Sequence, residues 1–156
     1  LIASPDDVDA LRFERLVGDA SESRENPERR RSICTEALGL WRGRPFGDLA
    51  DDEGFRLEAY RLDELRLFSM ELSLEAELDL GHHELVIGEL ESAVEEHPYR
   101  EHLRILLATA LARSDRRVEA LRACARLRHE LAAVGLGPSD ELITIENSIL
   151  AGPDSS

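Results

Sequence analysis

Five histidines, two cysteines and 33 acidic side chains are the groups of this 156-residue sequence that could hold a metal or move a proton. A zinc site needs ligands at short repeated spacing, such as a CxxC pair or the two histidines of an HExxH turn. His82 and His83 are adjacent at a helix start and point apart, and His97, His102 and His129 complete no such pattern. Cys34 and Cys124 lie on distant segments. Glycines stand singly at segment ends rather than in a GxGxxG or GxxxxGKS/T loop that cradles phosphate. Carboxylates are so common that pairs at helical spacing arise by chance, and the few serines fall in caps and linkers. The sequence therefore predicts no catalytic residue, no metal site and no cofactor, and the chain reads as a non-enzyme.

The charges that remain informative are arginines. All 19 basic residues are Arg, with no Lys, a usage that fits a GC-rich coding bias. From Glu71 to Glu96 there are nine acidic residues and no arginine, whereas from His97 to Glu130 eight arginines meet four acids. Arg122 and Arg126 are one helical turn apart, close in sequence to Arg113, Arg116 and Arg117. This basic strip is the candidate protein-interaction surface for an acidic partner or a nucleic-acid backbone. The alternative is that it complements the chain's own acidic helix or forms Arg–Glu pairs on a solvated face.

The elements that position these groups are helical almost throughout. The whole-chain charge of −14 lacks the positive footprint of a duplex-binding module, so direct nucleic-acid binding by this chain is not expected. No apolar run approaches the ~18 residues of a membrane span, so no membrane partner is expected. Two distant cysteines fit a reducing compartment, with a neutral structural role as the alternative, and the expected location is cytoplasmic.

Ser4-Pro5 opens a first helix striped by Val8, Leu11, Leu16 and Val17. After a polar linker over 21–25, Asn26-Pro27 opens a second, striped by Ile33, Ala37, Leu38 and Trp41. Residues 42–53 form the main irregular loop. A long helix over 54–80 carries two stripes: Phe55, Ala59, Leu62, Leu65, Phe68, Leu72 and Ala76, then Leu57, Tyr60, Leu67 and Leu74. A helix apolar on two sides is packed on two sides. Gly81 ends it, His97-Pro98 separates the next two helices, and Ser114-Asp115 caps another. That helix repeats Ala120, Cys124, Leu127, Leu131 and Val134 at core spacing, so Cys124 reads as a small core residue. Gly135 to Ser139 turn into a last helix with Leu142, Ile145 and Ile149.

Gly81 and Asp115 are 34 residues apart in equivalent inter-helix turns, and the pairs Val86/Ala120 and Leu90/Cys124 keep the same offset. This is the period of tetratricopeptide repeats. The predicted fold is all-α, about seven helices, with antiparallel pairs stacked as a right-handed array.

Residues 38–49 read Leu-Gly-Leu-Trp-Arg-Gly-Arg-Pro-Phe-Gly-Asp-Leu. Leu-Asp-Glu-Leu-Arg-Leu follows at 62–67, Leu-Gly-His-His-Glu-Leu at 80–85, and Glu-His-Pro-Tyr-Arg-Glu at 96–101. Then come Ala-Arg-Ser-Asp-Arg at 112–116 and Gly-Leu-Gly-Pro-Ser-Asp-Glu-Leu at 135–142. In this order they resemble the bacterial transcriptional activation domain (BTAD) of the Streptomyces antibiotic regulatory protein (SARP) family, over residues 8–150. The family's loop motif falls on Trp41, Arg42, Gly43, Pro45, Phe46, Asp48 and Leu49. Trp41 and Phe46 read as core anchors, with a docking spot as the alternative. Ala112 replaces a usual tyrosine, and Asp115 a usual turn glycine.

The resemblance implies the regulatory and activation domain of a transcription factor. Its expected partners are RNA polymerase holoenzyme, its own winged-helix DNA-binding domain, or a second protomer in a homodimer. Residues 1–4 are then the end of an upstream linker or of the winged helix's last strand, 5–150 the helical domain, and 151–156 a disordered tail or linker. The alternative is a ligand- or peptide-sensing module of a multidomain signalling protein.

Overall fold

The structure, a computed structural model, describes residues 5–40 and 53–152. The chain divides after Leu80 into two compact units. Among the described residues there are seven helices and no strand: α1 (Pro5–Glu22), α2 (Pro27–Gly39), α3 (Glu53–Asp79), α4 (His83–Glu96), α5 (Glu101–Arg113), α6 (Arg117–Ala133) and α7 (Asp140–Ala151). The fold is all-α, as the periodicity predicts. Residues 1–4, most of the irregular loop with its family motif from Trp41 to Leu49, and 153–156 lie outside the described residues.

In the first unit, α1, α2 and α3 pack on one another. Phe13, Val17, Ala37 and Leu62 form one buried cluster, and Ala20, Cys34 and Leu72 a second. Asn26 caps α2 by accepting the Arg29 N–H at 3.0 Å, with Pro27 in the first turn. Arg30 is buried because its guanidinium is used twice: it donates to the Arg24 carbonyl at 3.0 Å and to Asp79 at 2.5 Å. That fastens the α1–α2 turn to the end of α3.

The α1 stripe needs correction. Leu11 is exposed, and Phe13, absent from the expected stripe, is fully buried. The second stripe of α3 also divides, since Leu67 and Leu74 are buried while Leu57 and Tyr60 are exposed.

In the second unit, α4 packs on α5, α5 on α6, and α7 on both α5 and α6. The repeat is visible in the backbone. Gly81 and Asp115 both take the left-handed conformation, at φ 86° and 62°. Val86, Leu90, Ala120 and Cys124 are all buried. Ser114 does not cap α6 as expected. Its N–H bonds back to the Ala110 carbonyl at 3.1 Å, and it closes α5 instead. Ser139 does cap α7, accepting the Leu142 N–H at 3.2 Å, and its hydroxyl also donates to Glu101 at the start of α5.

Candidate functional site

The five arginines of the strip all lie in the second unit, around α6. An α-helix advances about 100° per residue, which places Arg122 and Arg126 about 160° from the buried Cys124 between them. Both are exposed, and among the described residues neither makes a hydrogen bond or ion pair. Steps of four along α6 join Arg122, Arg126, Glu130 and Val134 into one slanting ridge.

The other three arginines are placed differently. Arg116 stands at the N-cap of α6, and its Nε donates to Glu119 at 2.7 Å, an i,i+3 pair. Arg117 opens α6 and reaches the far end of α7: its Nη2 and Nε donate to the Ile149 carbonyl at 2.7 and 3.2 Å. A cation on the terminal carbonyls satisfies acceptors that the helix leaves open and complements its dipole. Arg113 sits in the last turn of α5, exposed. With Arg117 it lines a small cleft of about 280 Å³ at the end of α7. The geometry therefore narrows the strip to Arg122 and Arg126 as charge left for a partner.

Beside the ridge lies a groove of about 570 Å³, bounded by the α4–α5 turn, the start of α5, the end of α6 and the turn after it. Tyr99 is fully exposed on its rim, and Val134 at 72% and Leu136 at 57% are largely exposed beside it. Val134 thus corrects the expected α6 stripe: it caps the helix past the last packed turn and faces outward. The charged groups inside the groove already have partners within the chain, an ion pair for Arg104 and Glu130 and a hydroxyl for Glu101. Arg104, buried along its side chain, pairs with Glu130, and Glu101 accepts from the Ser139 hydroxyl. Arg104 first, with Arg126 and His129 adding, holds the Glu130 carboxyl below the usual carboxylate range. Reading helix stripes missed this groove because Tyr99 and Leu136 lie in turns. The available signal was large apolar residues placed beside Pro98 and between Gly135 and Gly137.

Both cysteines are free and buried. Burial pushes the Cys124 thiol up to about 11, with Glu146 adding and Arg128 opposing, and burial also raises Cys34. Neither is an activated nucleophile. Among the described residues no group of three or more His, Cys, Asp or Glu side chains could hold a metal, and no helix is long and apolar enough to cross a membrane.

Stacked helices that present an exposed ridge and an open groove are the architecture of helical repeat domains. The model of the bacterial transcriptional activator domain matches residues 8–150, and the chain belongs to that family. The SARP resemblance read from the motifs holds.

Three similarities place it further. The regulatory protein AfsR of Streptomyces griseus is 35% identical over 92% of this chain and 15% of its own length. The regulatory protein DnrI of Streptomyces peucetius is 33% identical over 96% of this chain and 56% of its own. The solved structure of Mycobacterium tuberculosis EmbR in complex with a low-affinity phosphopeptide superposes with a TM-score of 0.82 at 34% identity. It covers 97% of this chain and 41% of EmbR. The chain thus spans between about one seventh and just over half of these relatives' lengths.

Proposed function

We propose that this domain serves a SARP-type transcription activator by making protein–protein contacts in the cytoplasm. Its partners are RNA polymerase holoenzyme, the activator's own winged-helix DNA-binding domain, or a second protomer. The observation that carries this reading is the Arg122–Arg126 pair, exposed on the side of α6 turned away from the buried core and free of internal ion pairs. Such a pair attracts an acidic surface and fixes its register more than it adds raw affinity. The domain itself performs no catalysis in this reading.

Biolayer interferometry of the folded chain against holoenzyme from the native host tests it. Binding should weaken as salt rises from about 50 to about 300 mM. Arg122→Glu/Arg126→Glu should lower it roughly tenfold while leaving the far-ultraviolet circular dichroism unchanged. Binding that is indifferent to both salt and the double variant removes these arginines from the contact.

A second reading, a peptide-sensing module, draws support from the phosphopeptide complex of EmbR. It calls for binding of a phosphopeptide by this chain alone that is lost with the unphosphorylated peptide.

A further inference from the structure

We infer that the groove between the start of α5 and the end of α6 is a docking site for an amphipathic helix of a partner protein, one carrying acidic residues at one end and apolar residues at the other. The inference deepens the proposed function, because it rests on Arg122 and Arg126 as a contact surface and assigns the chemistry of what they contact.

Three observations converge. The ridge of Arg122, Arg126, Glu130 and Val134 starts with two exposed arginines that make no hydrogen bond or ion pair among the described residues, and it ends on the groove's apolar rim. Glu130 does not reverse its sign, since that carboxylate is neutralised by Arg104. A partner lying along the ridge therefore meets positive charge first and apolar surface second. At about 1.5 Å per residue, Arg122 to Val134 spans about 18 Å, the length of about 12 residues of a partner helix.

The lining then argues for a helix face over a small molecule. A small-ligand site orients its ligand with a few convergent polar groups. Here the charged groups, Arg104, Glu130 and Glu101, are already satisfied within the chain. What remains open is Tyr99, Val134 and Leu136, with Leu131 behind them. Exposed apolar residues contiguous with a groove mark a protein contact, and an amphipathic helix laid into such a groove supplies the matching side chains at i, i+3 and i+4.

The test uses the full 156-residue chain and fluorescence anisotropy. The probe is a fluorescein-labelled helical peptide of about 18 residues, with Glu on the N-terminal half of one face, Leu on the C-terminal half of that face, and Ala and Gln elsewhere. Two control peptides are its scrambled form and a version with Gln for every Glu. The probe should bind better than both controls, and only its binding should fall steeply with salt. Tyr99→Ala/Val134→Ser should weaken it roughly tenfold, and Tyr99→Phe should retain it. These rim side chains are exposed, so the variants keep the circular dichroism of the parent.

No binding, equal binding of the scrambled peptide, or indifference to Tyr99→Ala/Val134→Ser overturns the inference. So does concentration-dependent self-association that the same double variant abolishes, because the occupant is then a second copy of this chain. Holoenzyme binding that Arg122→Glu/Arg126→Glu removes and Tyr99→Ala/Val134→Ser leaves intact overturns the groove assignment and keeps the proposed function. Holoenzyme binding that neither double variant weakens, with the probe still bound through the groove, supports the groove assignment and removes Arg122 and Arg126 from the holoenzyme contact.

Discussion

The side chains of α6 divide by where their neighbours come from. Arg117 and Arg122 are five positions apart on one helix, yet Arg117 closes the end of α7 and Arg122 is exposed, with no hydrogen bond or ion pair among the described residues. Cys124 behaves as the core residue its stripe implies, and its chemistry follows from burial. A thiol held up to about 11 in the folded chain, against 9.0 when unperturbed, is a neutral group that folding favours. The sign is that of any raised pKa: the stabilisation is fully present below pH 9 and is lost as pH rises towards about 11. Urea unfolding midpoints of the parent and Cys124→Ala should therefore converge across that window. Iodoacetamide should label Cys124 at pH 8 only once urea is added. Fast labelling of the folded chain would contradict the burial that sets this pKa.

At the scale of elements, the turn between α5 and α6 carries the repeat. Asp115 occupies the left-handed position that Gly81 occupies 34 residues earlier, and the Arg116 N–H closes back on the Leu111 carbonyl at 2.9 Å. Side chains other than glycine are strained there, and Asp less than most. Asp115→Gly should raise stability by about 0.5–1 kcal/mol, and Asp115→Ala should lower it below both, read from urea midpoints. Destabilisation by Asp115→Gly would give the carboxylate a role among Arg113, Arg116 and Arg117.

Turns and helices were legible because their signals are local. Asn26-Pro27, Gly81, His97-Pro98 and Ser139 each act within one turn of chain, and the observed helix ends fall within a few residues of the expected ones. The candidate site was only half legible. Arg122 and Arg126 could be placed on one face from their spacing alone. Nothing local to Arg117 indicates that its partner is the Ile149 carbonyl, nor that Arg104 reaches Glu130. Long side chains choose partners set by packing, and a helical stripe does not encode those. Leu11 and Val134 fail for the related reason that an apolar residue on a periodic face stays exposed where no second helix covers that turn.

For the molecule as a whole, net charge and its distribution pull in opposite directions. The sum of −14 repels a polyanion, while the stretch from His97 to Glu130 is locally basic. Duplex affinity depends on how many phosphates are neutralised, with a salt slope of about −0.9 per contact. Six of the eight local arginines are already committed: Arg104 to Glu130, Arg116 to Glu119, Arg128 to Glu146, Arg117 to the carbonyls of α7, and Arg100 and Arg113 to other partners within the chain. Arg122 and Arg126 offer two contacts, a slope of about −2, set against the repulsion of the remaining chain. The chain alone should therefore leave a duplex of about 30 base pairs unretarded in a native gel, even at about 50 mM salt. An acidic protein surface escapes this limit, because a short helix presents a few carboxylates to the ridge without a continuous line of phosphates facing the acidic remainder. Retardation of the duplex that Arg122→Glu/Arg126→Glu abolishes would reverse this argument and make the ridge a phosphate contact. An unretarded duplex together with salt-sensitive holoenzyme binding would assign the same two arginines to a protein.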